Sequence, residues 1–350
     1  MEHKLKIILL AALTPLPLLA IILLSIILCF RRRDSKNDDA ELDLEAKGVD
    51  GVLKLNAEEL VKFEGGEDLS VVEILEAPGE VIGKSSYGTL YKANLVNLNC
   101  VTLLRFLRPT CTLRMEEVLP AIELLGSVRH PNLVPLNAFY AGPRGEKLMV
   151  LPFYTSGNLA QFIKDGNGEA YKWPTICRIS IGIARGLHHL HTALEKPIVH
   201  GNLKSKNVLL GAEYHPYVSD FGVRLLLSPS TGQQMVEASG FEGYKAPELI
   251  KMKDACEESD IYSLGIIFLE LLSGKQAVDG KDQDSYLPSA MTSANLHHPG
   301  ILVGLKNDER VVAEDGMLRY FQLATACCSP SRRRRPNIKQ ILDKLQDIVK

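Results

Sequence analysis

The chain has 350 residues, 46% of them hydrophobic and 23% charged, with a formal net charge of −2. That length and apolar content suit one large globular domain with a small appendage, and the near-neutral charge argues against nucleic acid as the main partner. The seven cysteines show no regular spacing and no C-x-x-C pair. They read as reduced thiols of a cytosolic domain rather than as a disulfide framework.

Ile7 to Phe30 is a 24-residue run without a charge, and a bilayer core needs about 20 such residues at 1.5 Å each. Pro15 and Pro17 bend or delay a helix there, which narrows the predicted span to Leu13–Phe30. Arg31, Arg32 and Arg33 follow at once and outweigh Lys4 and Lys6 on the other side. The larger cluster stays inside, so the N-terminus is expected outside and the rest of the chain in the cytoplasm. The run is too long for a signal peptide, and no small-x-small site precedes the arginines. With so few residues ahead of the span, no ectodomain is expected. Cys29, at the end of the span beside the arginines, reads as a membrane-helix cysteine or an S-palmitoylation site.

From Asp34 to Glu76 there are 14 acidic residues against four lysines. The polar beginning of this stretch suits a solvated spacer that an anionic inner leaflet would repel. Helical spacing returns at Leu69–Leu75. The expected division is residues 1–30 for the N-terminus and membrane helix, 31–72 for the acidic linker, and 73–350 for a folded domain.

Motifs then follow in a fixed order. Val81-Ile82-Gly83-Lys84-Ser85-Ser86-Tyr87-Gly88-Thr89-Leu90 is a glycine-bearing turn between two strands, and Val101-Thr102-Leu103-Leu104-Arg105 reads as the next strand. Arg129-His130-Pro131-Asn132 precedes another strand, Lys147–Leu151, which runs into Pro152-Phe153-Tyr154. Trp173–His191 has apolar residues at helical spacing and leads to His200-Gly201-Asn202-Leu203-Lys204-Ser205-Lys206-Asn207. Asp220-Phe221-Gly222, Gly243-Tyr244-Lys245-Ala246-Pro247-Glu248, Asp260–Gly265 and Cys327-Cys328-Ser329-Pro330…Arg335-Pro336 complete the series. His188, His189 and His191 cluster without a carboxylate or cysteine to complete a metal site, and one of them suits a helix-end cation.

In order and spacing this series resembles the domain of plant leucine-rich-repeat receptor-like protein kinases, and most of all their catalytically altered transmembrane members. The resemblance covers about Glu73 to Lys350 and implies an α+β, bilobal fold, a small β-rich lobe above a large helical one, behind one membrane helix. It also implies a nucleotide cleft with Gly83, Ser85, Gly88 and Leu90 over the phosphates. Leu151 becomes the gatekeeper, and the Pro152 carbonyl and Tyr154 N–H the edge that meets a purine. Asn207 and Asp220 fall where the family holds Mg²⁺. Arg335 and Glu248 fall where it places a buried ion pair.

The departures lie where phosphoryl transfer is carried out. Asn202 replaces the aspartate that takes the substrate proton, and an amide oxygen is not basic enough for that. The phosphate-binding lysine aligns with Leu104, and alternation along the strand turns Arg105 away from the cleft. Counting back nine residues from His130 puts Ala121 at the position of the lysine's glutamate partner. Glu117 or Glu123 would substitute only on a slipped helix, and Pro120 makes that helix irregular. Leu104 and Ala121 thus read as an apolar contact replacing a buried ion pair. Lys84 or Lys92 remains as a substitute phosphate clamp, and Lys204 as a remnant of the catalytic set. Gly201 replaces the arginine that holds a phosphorylated activation segment, where Ser228, Ser230, Thr231 and Ser239 are candidate phosphosites.

Losing the base removes about 10²–10⁴-fold of rate. The resemblance therefore implies a pseudokinase at the plasma membrane, a scaffold or allosteric partner of active receptor kinases. A weak Ser/Thr kinase, or a switch that binds ATP with Mg²⁺ but transfers nothing, stays open beside it. A cleft that binds no cofactor at all is also compatible with these residues.

Overall fold

Six strands form the upper layer of the computed structural model, which describes residues 59–165, 171–252, 254–277 and 297–349. They are β1 (Glu59–Lys62), β2 (Gly79–Lys84), β3 (Gly88–Leu95), β4 (Cys100–Leu107), β5 (Ala138–Ala141) and β6 (Lys147–Pro152). Their spatial order is β1-β5-β6-β4-β3-β2, with every neighbouring pair antiparallel. Helix α1 (Val71–Glu76) precedes β2, and a reciprocal bond between Ser70 and Glu73 caps it. Helix α2 (Met115–Ser127) follows β4 and continues through Pro120, which lies on the solvent side, while Val118, Ile122 and Leu125 are buried.

The folded unit begins earlier than residue 73. Strand β1 pairs with β5, Phe63 donates its N–H to the Asn137 carbonyl, and Arg129 Nη2 donates to the Glu64 carbonyl. The acidic composition of this stretch concealed an edge strand, since exposed charges are compatible with an edge.

The second layer is helical. It contains α3 (Leu159–Lys164), α4 (Trp173–His188), α5 (Pro229–Phe241), α6 (Glu257–Ser273), α7 (Asn307–Cys327) and α8 (Ile338–Val349), with a small hairpin of β7 (Val208–Leu210) and β8 (Pro216–Val218). Helix α6 is buried continuously from Ser259 to Ser273. Its Gly265 lies so close to α7 that an added Cβ would fall 2.7 Å from Cys327 Cβ. Arg335 grips Glu248 through two bonds of 2.6 and 2.7 Å, with its own side chain fully buried. The bilobal arrangement is therefore present: a β-sheet lobe over a helical lobe, with a cleft between. The expected membrane helix Leu13–Phe30 lies outside the described residues, and no described helix is long and apolar enough to cross a membrane.

Candidate functional site

A cleft of about 290 Å³ lies between the lobes. Gly83, Lys84, Ser85, Gly88 and Leu90 roof it, Leu103 and Leu151 close one side, and Lys204, Asn207, Leu209 and Asp220 form its floor. Gly88 is required by packing, because a Cβ there would stand 2.3 Å from the Phe106 carbonyl oxygen. The Ser85 N–H donates to the Gly88 carbonyl at 2.9 Å and closes the turn on itself.

The register of β4 corrects the reading of its motif. Leu90 pairs with Arg105 and Leu103 with Leu151, so Leu103 and Arg105 face the cleft. Leu104 points the other way, into an apolar cluster with Leu69, Ile74 and Val150. The alternation was right in period and wrong in phase, a one-residue slip that exchanges the two faces of a strand. Arg105 thus holds the inward position expected of a lysine.

Its partner is not on α2. Ala121 is half-buried against the core, Glu123 is exposed, and Glu117 accepts the Arg114 N–H at 3.0 Å to cap its own helix. Arg105 Nη2 instead donates to Asp220 Oδ1 at 2.7 Å, and both side chains are at most 10% exposed. Tyr87, at the tip of the glycine turn, is buried alongside. Burial, and then the Asp220 carboxylate, push its phenol up to about 12.

The catalytic-loop residues are held from below. Asp260 accepts hydrogen bonds from the backbone N–H of His200 and of Gly201, at 2.7 and 2.9 Å, and pairs with His191 Nε2 at 3.0 Å. His191 is thus a buried partner of a carboxylate, while His188 lies in the last turn of α4. Asn202 is buried, and its carbonyl accepts a bond from Asn207 Nδ2 at 2.9 Å. His200 is buried too, and its imidazole is pushed down by desolvation, which Asp260 opposes.

The activation segment reaches the same floor. After Gly222 it makes a 3₁₀ turn and then α5, whose N-cap is Ser228. Of the candidate phosphosites, Ser228 is that cap, and Thr231 is buried in the first turn. Just past α5, Glu242 accepts from Lys204 Nζ at 2.6 Å and Lys206 Nζ at 3.1 Å. These lysines hold the Glu242 carboxyl below its usual range against an opposing desolvation. Lys92 pairs with Glu80 at 3.3 Å and is not a phosphate clamp in this arrangement.

Pro152 borders a second cavity, and the Tyr154 ring stacks on Tyr217 at 4.1 Å. One further expectation needs correction. Asn207 and Asp220 do come together at the floor, yet they do not fit a Mg²⁺ ion. The ion needs free anionic oxygen, and the one carboxylate of the pair is already neutralised by a guanidinium in the same cleft. Among the described residues no group of three or more His, Cys, Asp or Glu side chains could hold a metal.

The protein kinase domain family matches residues 77–345. A putative kinase-like protein of Arabidopsis thaliana, TMKL1, is 37% identical over 297 residues, covering 82% of this chain and 44% of that protein. A probable inactive receptor kinase of the same plant is 33% identical over 353 residues, covering 95% and 54%. The chain therefore spans about half, or less, of the curated relatives it matches. Among solved structures, the maize SIRK1 kinase domain bound to AMP-PNP gives a TM-score of 0.72 at 30% identity, covering 83% of this chain and all of that one. The pseudokinase domain of BIR2, an immune regulator of the RLK/Pelle family, gives 0.64 at 28%, covering 77% and 80%. A two-lobed fold closing on a glycine-roofed cleft, and a family match over most of the chain, place this protein in the protein kinase domain family, with plant receptor-like kinases as its relatives.

Proposed function

We propose that this chain is a membrane-anchored, receptor-like pseudokinase that acts as a scaffold or allosteric partner of active receptor kinases and transfers no phosphate at a useful rate. The observation that carries this reading is the ion pair of Arg105 with Asp220 in the cleft. It consumes the phosphate-binding cation and the metal-binding carboxylate in one contact. Asn202 stands at the position of the base, and Lys204, the remaining family lysine, is held by Glu242. Each loss alone slows transfer, and together they leave no group to take the proton and tie the cation at the phosphate end to the carboxylate that would hold the metal.

Anchoring rests on the Leu13–Phe30 run and the arginines after it, with the kinase-like domain on the cytoplasmic side. The scaffold role rests on a well-packed domain whose cleft carries an Arg105–Asp220 ion pair, and on relatives several of which are named inactive receptor kinases. Such a protein works by presenting a surface or favouring one conformation of its partner. The test is incorporation of radiolabelled phosphate from ATP by the purified full chain, into itself and into a generic acceptor protein. No incorporation above an Asp220→Ala control is expected. Incorporation that this substitution abolishes would overturn the reading.

A further inference from the structure

The ion pair that argues against transfer says something more about what the cleft binds. In place of a lysine above and a metal ion below, it holds one guanidinium, 2.7 Å from Asp220 and at most 10% exposed. Arg105 lines the cleft, and its buried Nε has no hydrogen-bond partner. A buried guanidinium with an unused donor is a site for an anionic oxygen, because such groups are otherwise satisfied. Lys84 lines the same end from the glycine turn. Beside this cationic end, Leu90, Leu103, Leu151 and Leu209 make an apolar slot suited to a flat ring.

We infer that the cleft takes a nucleotide, a planar base carrying phosphate, without any divalent cation, the Arg105 guanidinium standing where the metal would. The inference rests on the reading that this cleft no longer transfers phosphate, and it adds the ligand and its metal requirement. A metal ion entering beside Asp220 would meet a fixed positive charge and would have to break the ion pair first. A phosphate oxygen meets a positive charge already in place. Nucleotide affinity should therefore be indifferent to Mg²⁺, the reverse of what a Mg²⁺-loaded cleft requires.

The experiment is calorimetric titration of the purified full chain with ATP and with ADP, once in EDTA and once in excess MgCl₂. Dissociation constants that agree within about threefold are expected, because each phosphate contact comes from the protein. Arg105→Lys keeps a cation beside Asp220 but removes the Nε–H, and should weaken binding in EDTA by about tenfold or more. Binding that is absent in EDTA, or about tenfold tighter with Mg²⁺, overturns the inference and leaves the scaffold reading standing. Unchanged binding by Arg105→Lys overturns it as well. Radiolabel transfer, measured separately, bears on the scaffold reading alone.

Discussion

Removing one partner of the Arg105–Asp220 pair should destabilise this domain more than removing both. At 2.7 Å and an effective dielectric constant of about 20, the attraction is roughly 6 kcal/mol. Desolvating the two ions offsets several kcal/mol for each, so the intact pair is close to neutral against an uncharged one. Arg105→Met leaves a carboxylate buried and unpaired, which costs about 3–5 kcal/mol. Asp220→Asn strands the guanidinium at a similar cost, and asparagine is the right replacement because Asp220 has φ of +63°. The double variant should lie within about 1–2 kcal/mol of the parent, giving a coupling energy of about 3 kcal/mol or more.

Urea unfolding of the four proteins in EDTA measures this cycle, with the chelator keeping Mg²⁺ from rescuing a freed Asp220. For a domain of this size Arg105→Met should lower Tm by on the order of 10 °C. A coupling below about 0.5 kcal/mol would refute the reasoning. It would mean that Arg105 lies outside the cleft and that Leu104 faces inward after all.

Two further outcomes follow from other parts of the molecule. Glu270, buried on α6, accepts bonds from Tyr244 Oη at 2.7 Å and from the Ala277 N–H at 2.8 Å, yet burial pushes its carboxyl from about 4.5 up to about 7. The folded state thus holds a proton that the unfolded state releases. The associated stability is complete below pH about 4.5 and is lost as pH rises through about 7, by roughly 3 kcal/mol. Glu270→Gln should flatten the stability profile across that window in urea titrations, and an unaltered slope would contradict the burial argument. Separately, Asn202→Asp restores a carboxylate at the base position but leaves Asp220 on Arg105 and Lys204 on Glu242. Radiolabel transfer by this variant should stay at background, and turnover approaching about 1 s⁻¹ would show that those contacts open freely.

Much of the fold was legible because its landmarks are chemically singular. Glu248 and Arg335 are 87 residues apart and meet as a bidentate pair, as the motifs around them imply. Asn207 and Asp220 likewise converge. What escaped was geometry that no spacing records. Matching Val101-Thr102-Leu103-Leu104 to a motif assumes the register of the strand, whereas the phase of β4 is set by the pairing of Leu95 with Cys100 across the turn between them. The start of α5 was not read, although Ser228-Pro229 is a cap followed by a first-turn proline: Ser228 stood out only as a candidate phosphosite. Where it ends, with Glu242 brought to Lys204, depends on packing between segments 38 residues apart.

The two losses in the cleft are physically one. A guanidinium enclosed beneath the glycine turn must find a carboxylate, or its burial is prohibitive. On the helix above it Ala121 carries no carboxylate, and Glu117 and Glu123 are both exposed. The carboxylate within reach is Asp220, so the cation is drawn to the residue that would otherwise hold the metal. The lack of an inward carboxylate on α2 thereby accounts for the ion pair at Asp220 on the opposite lobe. Restoring Asn202 alone leaves that exchange untouched, because the base position takes no part in it.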